Sequence, residues 1–468
     1  MRSFALNILT RLKGKVHMKK FIALLLALVF MAAVFALPAG AVGFEPPFEI
    51  SGKAAYIVNT DTNIIVYEKN SEESLPAASL TKIMTCILLV EQYEDQLDTV
   101  TAELTASIRD SLYGKGMANA DILMGEPHTL RSLMYAALVP SAADAAMIIA
   151  NTVSGGSIDN FVYMMNSKAK EIGCTGTTFV DPAGMSLDNV TTARDMYLIL
   201  RYALSFDTLK EAMGTLKWDM GQDYMPSRYS SSSPYMLYST NKMHDKDLGA
   251  KYYRAYNQGG KTGTLEDWQN FAGWHTSTDT GESYISVVLN SPNSIDPYEY
   301  PTKRPALYET GLLMDWVFES FAIQPAMQVG EPLAEVKVKY STDADTVKLY
   351  PADDMMTILP KNTDESVTQK TFQLPEYVTA PVKKGDVIGT VTLSLSGQTI
   401  GVVELTADRD LDRNMLLFTL SKIGEFFGGL YFKVLLCVSA VTAVAYVILY
   451  YRHQATRKSN RRPRRPSL

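Results

Sequence analysis

Residues 53–59 alternate apolar and polar side chains, turn through Thr60-Asp61-Thr62-Asn63 and resume at residues 64–67, the pattern of a β-hairpin. The period then changes. Over residues 80–91 Ile83, Met84, Ile87 and Leu88 fall on one face, with Pro76 ahead and Ser79 at the N-terminus, which predicts a helix. The same helical period marks residues 129–138, 142–152, 159–172 and 192–204. Residues 269–276 and 283–290 read as neighbouring strands, and 305–321 as a closing helix. Strands at both ends with helices between them predict one sheet built from sequence-distant halves with helices packed on it, an α/β (α+β) domain over residues 42–325.

From residue 329 the texture is all strand: residues 336–340, 347–350, 356–359 and 370–374, then a hairpin of 387–395 and 400–405 around Ser396-Gly397-Gln398. This predicts a small all-β domain over residues 326–410. Residues 411–433, with Met415, Leu416, Phe418, Phe426 and Phe427, read as a juxtamembrane amphipathic segment. Residues 434–451 carry no charge and are long enough to cross a bilayer as a transmembrane helix. Arg452, Arg457, Lys458, Arg461, Arg462, Arg464 and Arg465 follow with no acidic residue, so residues 452–468 read as a basic cytoplasmic tail and the body as extracytoplasmic. At the other end Lys19 and Lys20 lead into the apolar residues 21–37 and the small residues Ala39-Gly40-Ala41, an export signal over residues 1–41 with Met18 as an alternative start.

Charge adds one exclusion. The formal −6 includes six Lys and Arg before Val42 and seven after Tyr451, which leaves −19 on the body between them. Nucleic acid is a poor partner for such a surface. Of the three cysteines Cys437 lies in the apolar run, and Cys86 and Cys174 read as core packing rather than a disulfide framework. His128, His244 and His275 lack the spacing of a zinc site, so no metal is expected.

Three strings carry the chemistry: Ser79-Leu80-Thr81-Lys82, Ser141-Ala142-Ala143 and Lys261-Thr262-Gly263. Their order and residue types match an acyl-transfer site in which lysine activates serine. A Ser-x-x-Lys string alone is weak, and Ser167-Lys168-Ala169-Lys170 is a decoy inside a lysine-rich helix. Ser79 differs in opening an apolar helix whose positive end faces its hydroxyl, with Lys82 returning to the same face. A lysine acts as a base only when neutral, and bringing its pKa toward 7 takes roughly 4 to 5 kcal/mol of bias against the cation. Burial and a second cation supply it, and Lys261, expected just ahead of the strand at 269–276, is the candidate cation.

The strings and their flanks give the chain a family likeness. Residues 50–325 resemble the low-molecular-mass D-alanyl-D-alanine carboxypeptidases, serine penicillin-binding proteins that trim the stem peptide of peptidoglycan. The likeness rests on residues 75–85, on Ser141-Ala142-Ala143-Asp144-Ala145-Ala146, and on Thr178-Phe179-Val180-Asp181-Pro182-Ala183-Gly184 with Thr191-Thr192-Ala193-Arg194-Asp195. Residues 329–407 resemble the β-rich domain that follows in these enzymes, including residues 380–386. The resemblance implies a penicillin-binding-protein/β-lactamase-like sheet and a peptidase without cofactor, acting on the D-Ala-D-Ala end of the stem pentapeptide and acylated by β-lactam antibiotics, with the cytoplasmic membrane as its support. It implies Ser79 as nucleophile, Lys82 as base and Ser141 as proton relay. Lys261, Thr262, Gly263 and Thr264 then bind substrate, with the Ser79 and Thr264 N–H groups as oxyanion hole.

Ala143 departs from the family pattern, which has asparagine there. Loss of one such hydrogen bond costs about 1 to 3 kcal/mol, a slowing of about five- to hundredfold. That position supports an alternative, a weak or inactive pseudo-enzyme binding peptidoglycan as a scaffold. A β-lactamase is disfavoured by the β domain and the anchor. Residues 219–241, rich in Ser and Tyr, match the family poorly and read as a surface loop near the site. Trp274 and His275 read as strand packing.

Overall fold

The computed structural model describes residues 45–265, 267–293, 304–361, 368–395 and 398–459. The expected signal at 1–41 and the end of the basic tail lie outside the described residues.

The first hairpin forms as its pattern predicts, with β1 at Ala54–Asn59 and β2 at Ile65–Lys69. Far along the chain β3 (Asn257–Thr264), β4 (Trp268–Thr276) and β5 (Ser283–Pro292) complete one antiparallel sheet in the order β2-β1-β5-β4-β3. Ala54 faces Leu289 and Val58 faces Ile285, so the two sequence-distant halves meet at the centre of the sheet. All six residues of β1 are buried, because both faces of the sheet are covered. On one face Tyr56, Ala272, Trp274 and Val287 join the helical core, while Phe271, of opposite parity, packs with Ala306 and Leu307.

The helices lie between the two strand sets: α1 (Thr81–Tyr93), α2 (Ala106–Leu112), α3 (Leu130–Leu138), α4 (Ala143–Val153), α5 (Ile158–Ile172), α6 (Ala193–Ala203) and α7 (Asp207–Gly214). The closing helix α8 spans Pro305–Ser320. Ten consecutive residues of α1, Thr81 to Val90, are buried, which makes it the hub of the domain rather than a surface helix with one apolar stripe.

The chain separates into two compact units, the second holding Pro325–Met355, Thr368–Leu395 and the residues from Thr399 onward. Here β7 (Ala334–Lys339), β8 (Thr346–Pro351), β10 (Gln369–Gln373), β11 (Tyr377–Thr379), β12 (Val387–Leu395) and β13 (Gln398–Ala407) form one sheet around a core that includes Val347, Leu349, Val391 and Leu405. The strand expected at 356–359 goes elsewhere. It is β9 (Met355–Pro360), and it pairs with β6 (Phe321–Met327) as a separate ribbon.

In the second unit α9 (Met415–Gly428) lays Phe418 edge-on against Tyr340, whose hydroxyl lies 3.0 Å from Ser421 Oγ, and leaves Leu416, Leu420, Ile423 and Phe427 exposed. The last helix, α10, runs Leu430–Ser459. Its stretch Leu430–Thr456 has a mean hydropathy of 2.3 and is long and apolar enough to cross a membrane, about 40 Å of helix against a hydrocarbon core of about 30 Å.

Candidate active site

Ser79 sits in a 3₁₀ turn, Ala78–Leu80, that runs directly into α1. In 3₁₀ geometry side chains at i and i+3 eclipse, which brings Lys82 Nζ to 2.9 Å from Ser79 Oγ. Ala78 holds a left-handed backbone (φ +49°), a conformation that persists only where the surroundings enforce it. Two contacts do so. Asn270 on β4 donates through Nδ2 to Pro76 O (2.8 Å) and Ala77 O (3.1 Å), fastening the turn to the sheet. From the other side Gly184 presses its backbone against Ala78. A Cβ there would lie 1.9 Å from Ala78 O, and φ of +75° also favours glycine.

Gly184 belongs to the stretch after Thr178, whose purpose becomes visible here. The Asp181 carboxylate gathers the N–H groups of Ala183, Gly184, Met185 and Ser186 and the Asn189 amide. This curls the backbone so that Ala183 O accepts from Lys82 Nζ at 2.6 Å and Pro182 O accepts from Thr85 Oγ1 at 2.6 Å. Ala77 N–H donates to Asn189 O at 2.8 Å, closing the loop onto the serine turn.

The other two strings converge as a second pair. Lys261 Nζ lies 2.8 Å from Ser141 Oγ and 2.8 Å from Thr262 O. Ser141 is left-handed (φ +72°) in the turn between α3 and α4. Thr262 Oγ1 is 2.6 Å from Thr240 Oγ1, and Arg304 Nη1 donates to Thr240 O at 3.2 Å. The two pairs meet where β3 abuts the serine turn, since a Cβ at Gly263 would be 3.1 Å from Ala77 O. Leu265 N–H donates to Trp268 O, so the alternation of antiparallel pairing turns the Thr264 N–H toward the open edge of the sheet. Ser79, Ser141 and Thr262 keep 7–8% of their surface exposed while Lys82 and Lys261 keep 0%, so the hydroxyls face the cleft and the amines lie beneath.

Burial pushes Lys82 down to about 8, against small opposing pulls from Asp181, Cys86 and Asp144. That shift corresponds to about 3 kcal/mol against the cation. Burial, with the Lys82 charge added, lowers Lys261 well below the ordinary lysine value. Burial thus disfavours the charge on both amines, Lys261 as well as Lys82.

A family model described as D-alanyl-D-alanine carboxypeptidase matches residues 41–293. The chain belongs to this family. It is a family of serine-type peptidases, and a second model, the C-terminal domain of penicillin-binding protein 5, matches residues 321–413. The chain is 26% identical over 403 residues to the D-alanyl-D-alanine carboxypeptidase DacF of Bacillus subtilis, covering 85% of this chain and 95% of that one. It is 26% identical over 380 residues to DacA of Haemophilus influenzae, covering 79% and 87%. Its fold is shared with penicillin binding protein 5 of Haemophilus influenzae, at a TM-score of 0.55 and 22% identity over 79% of this chain and 100% of that one.

Against that family background, several expectations shift. Lys261-Thr262-Gly263 lies just ahead of β4 as expected, but is itself part of an edge strand, β3, that the sequence reading did not include. The decoy Ser167 is exposed on α5, where Lys168 pairs with Glu91 and Glu171. Cys86 and Cys174 are free and buried, and burial pushes both thiols up to about 12, so neither is reactive. His275 packs within the sheet as expected, its Nε2 2.7 Å from Ser286 Oγ. Among the described residues no three His, Cys, Asp or Glu side chains converge to hold a metal. Asn270, Asp181, Gly184, Thr240 and Arg304 had no role assigned from sequence. Asp181 and Gly184 stood in plain view within the family stretch, but their function is to receive or approach backbone, which leaves no spacing signature.

Proposed function

We propose that the chain is a membrane-anchored D-alanyl-D-alanine carboxypeptidase that removes the terminal D-alanine from peptidoglycan stem pentapeptides through an acyl-enzyme on Ser79, and that β-lactams acylate the same hydroxyl. The observation that carries this reading is the Ser79 Oγ to Lys82 Nζ contact of 2.9 Å at a fully buried amine. Ala183 O takes one N–H of Lys82, which leaves the lone pair of the neutral amine for the Ser79 proton.

The substrate's terminal carboxylate enters beside Lys261, Thr262 and Arg304. Its charge favours the protonated form of Lys261, and repulsion between the two amines then favours neutral Lys82. Ser79 Oγ then attacks the carbonyl of the penultimate D-alanine as its proton passes to Lys82. The Ser79 and Thr264 N–H groups receive the oxyanion. On collapse the C–N bond breaks, and Ser141 passes the proton from Lys82 to the departing amine. Water attacks the ester next, giving one proton to Lys82 and from there back to Ser79 Oγ. The helix Leu430–Thr456 anchors the enzyme, with the basic tail on the cytoplasmic side and the site outside.

Incubation with a pentapeptide ending in D-Ala-D-Ala is expected to release one D-alanine per peptide. Ala143 favours a second reading, a peptidoglycan-binding scaffold, because its methyl contributes no polar group to the site. A scaffold would release no D-alanine and resist labelling by fluorescent penicillin.

A further inference from the structure

The segment expected as a surface loop at 219–241 is exposed over much of its length and also grips the second string from behind. The second and third residues after Ser141 hang on another loop: Ala143 N–H donates to Ala118 O (2.8 Å), and the Asp144 carboxylate, 4% exposed, accepts from Ala120 N (3.0 Å) and Ile122 N (3.3 Å). That loop is held in turn by residues 228–235. The buried Tyr235 hydroxyl donates to Ala120 O, and Arg228 donates to Asp121 O and to the carboxylates of Asp121 and Glu126. Tyr229 stacks on Tyr235 with ring centroids 4.2 Å apart and donates to Asp121 Oδ2 at 2.7 Å. The same segment ends at Thr240, whose N–H donates to Val139 O ahead of Ser141 and whose hydroxyl meets Thr262.

We propose that Tyr235 and Arg228 are positioning residues for Ser141, acting through the loop at 118–126; the proposal rests on the reading of Ser141 as proton relay. A left-handed serine keeps its place only when its neighbours over-determine it. Here Ala143 supplies no polar side chain to help, so the backbone and Asp144 bonds to the loop carry that task. The clamp sets where Ser141 Oγ stands relative to Lys261. Removing the Tyr235 hydroxyl frees Ala120 O and loosens the loop, which lets Ser141 drift without altering Ser79 or Lys82.

The test compares wild type with Tyr235→Phe and Arg228→Met, using full-length protein whose near-ultraviolet circular dichroism matches wild type. Tyr235→Phe differs by one oxygen, so it carries the test should Arg228→Met fail to fold. Fluorescent penicillin gives the acylation rate and a D-Ala-D-Ala peptide gives kcat and KM. Displacement of a catalytic group by an ångström costs on the order of a hundredfold, so acylation and kcat are expected to fall about ten- to hundredfold. KM stays within about twofold, since the groups that hold the carboxylate are untouched. The pH inflection stays where Lys82 sets it. Acylation of Tyr235→Phe at the wild-type rate, with wild type itself labelled, overturns the clamp alone, because a merely structural tyrosine lowers the melting temperature and leaves the rate per folded molecule intact. Failure of wild type to label overturns the underlying reading of the site.

Discussion

Gly184 and Ala78 touch through backbone alone: a single added carbon on Gly184 would stand 1.9 Å from the Ala78 carbonyl oxygen. That contact sets how the loop carrying Ala183 O meets the turn carrying Ser79. Gly184→Ala is therefore expected to act on rate as well as stability. The left-handed backbone costs about 1 to 2 kcal/mol for a residue with a Cβ, and the overlap must be relieved by moving the serine turn. A lower melting temperature together with slower acylation per folded molecule checks this; a stability loss with unchanged acylation would refute the coupling.

Lys82→Ala removes the base and leaves Ala183 O without its buried partner. General-base catalysis contributes about 10²- to 10⁴-fold, so penicillin acylation is expected to fall by that order. Stopped-flow or gel labelling measures it. A loss below tenfold would mean that another group takes the Ser79 proton.

Ala143→Asn restores the amide of the family pattern at the first residue of α4. One regained hydrogen bond is worth about 1 to 3 kcal/mol, so acylation is expected to speed up about five- to hundredfold. An unchanged rate would mean that this reading of position 143 is wrong.

Much of this was legible in the sequence, for reasons that particular residues make plain. The helical period fixed α1, α3, α4, α5 and α6 to within a residue or two, because each carries apolar residues at the spacing of a helix turn, whether it buries one face, as α5 does, or all of them, as α1 does. Strand β3, by contrast, reads Asn-Gln-Gly-Gly-Lys-Thr-Gly-Thr and has no apolar alternation at all. It is a strand because β4 pairs with it and Trp274 lies over Gly259, where a Cβ would be 2.2 Å from the indole ring. The Ser79 and Lys82 pairing was legible from spacing together with the apolar helix that Ser79 opens, which the decoy at Ser167 lacks. Asn270 was not, since the carbonyls it holds are nearly 200 residues earlier. The Tyr235 clamp read as a loop because Ser and Tyr carry no period, and only long-range bonds reveal its role.

His275 gives a stability prediction of definite sign. Burial pushes it down to about 3; Nδ1 lies 3.2 Å from the Asn257 amide nitrogen, which donates to it, and Nε2 faces Ser286. The folded state stays neutral while the unfolded chain takes up a proton below about pH 6.5. Stability is therefore complete above that value and falls by about 1.4 kcal/mol per unit as pH drops from about 6.5 toward 3. Urea unfolding of wild type and His275→Gln between pH 4 and 7 measures the difference, and equal slopes would contradict it.

The pH dependence of acylation by fluorescent penicillin, followed from pH 5.5 to 9.5, tests most directly whether a neutral Lys82 activates Ser79. With the amine at about 8 before ligand binds, the second-order rate is expected to rise tenfold per unit at low pH and to level off above about 8. A rate flat across that range, or falling as pH rises, would contradict the account.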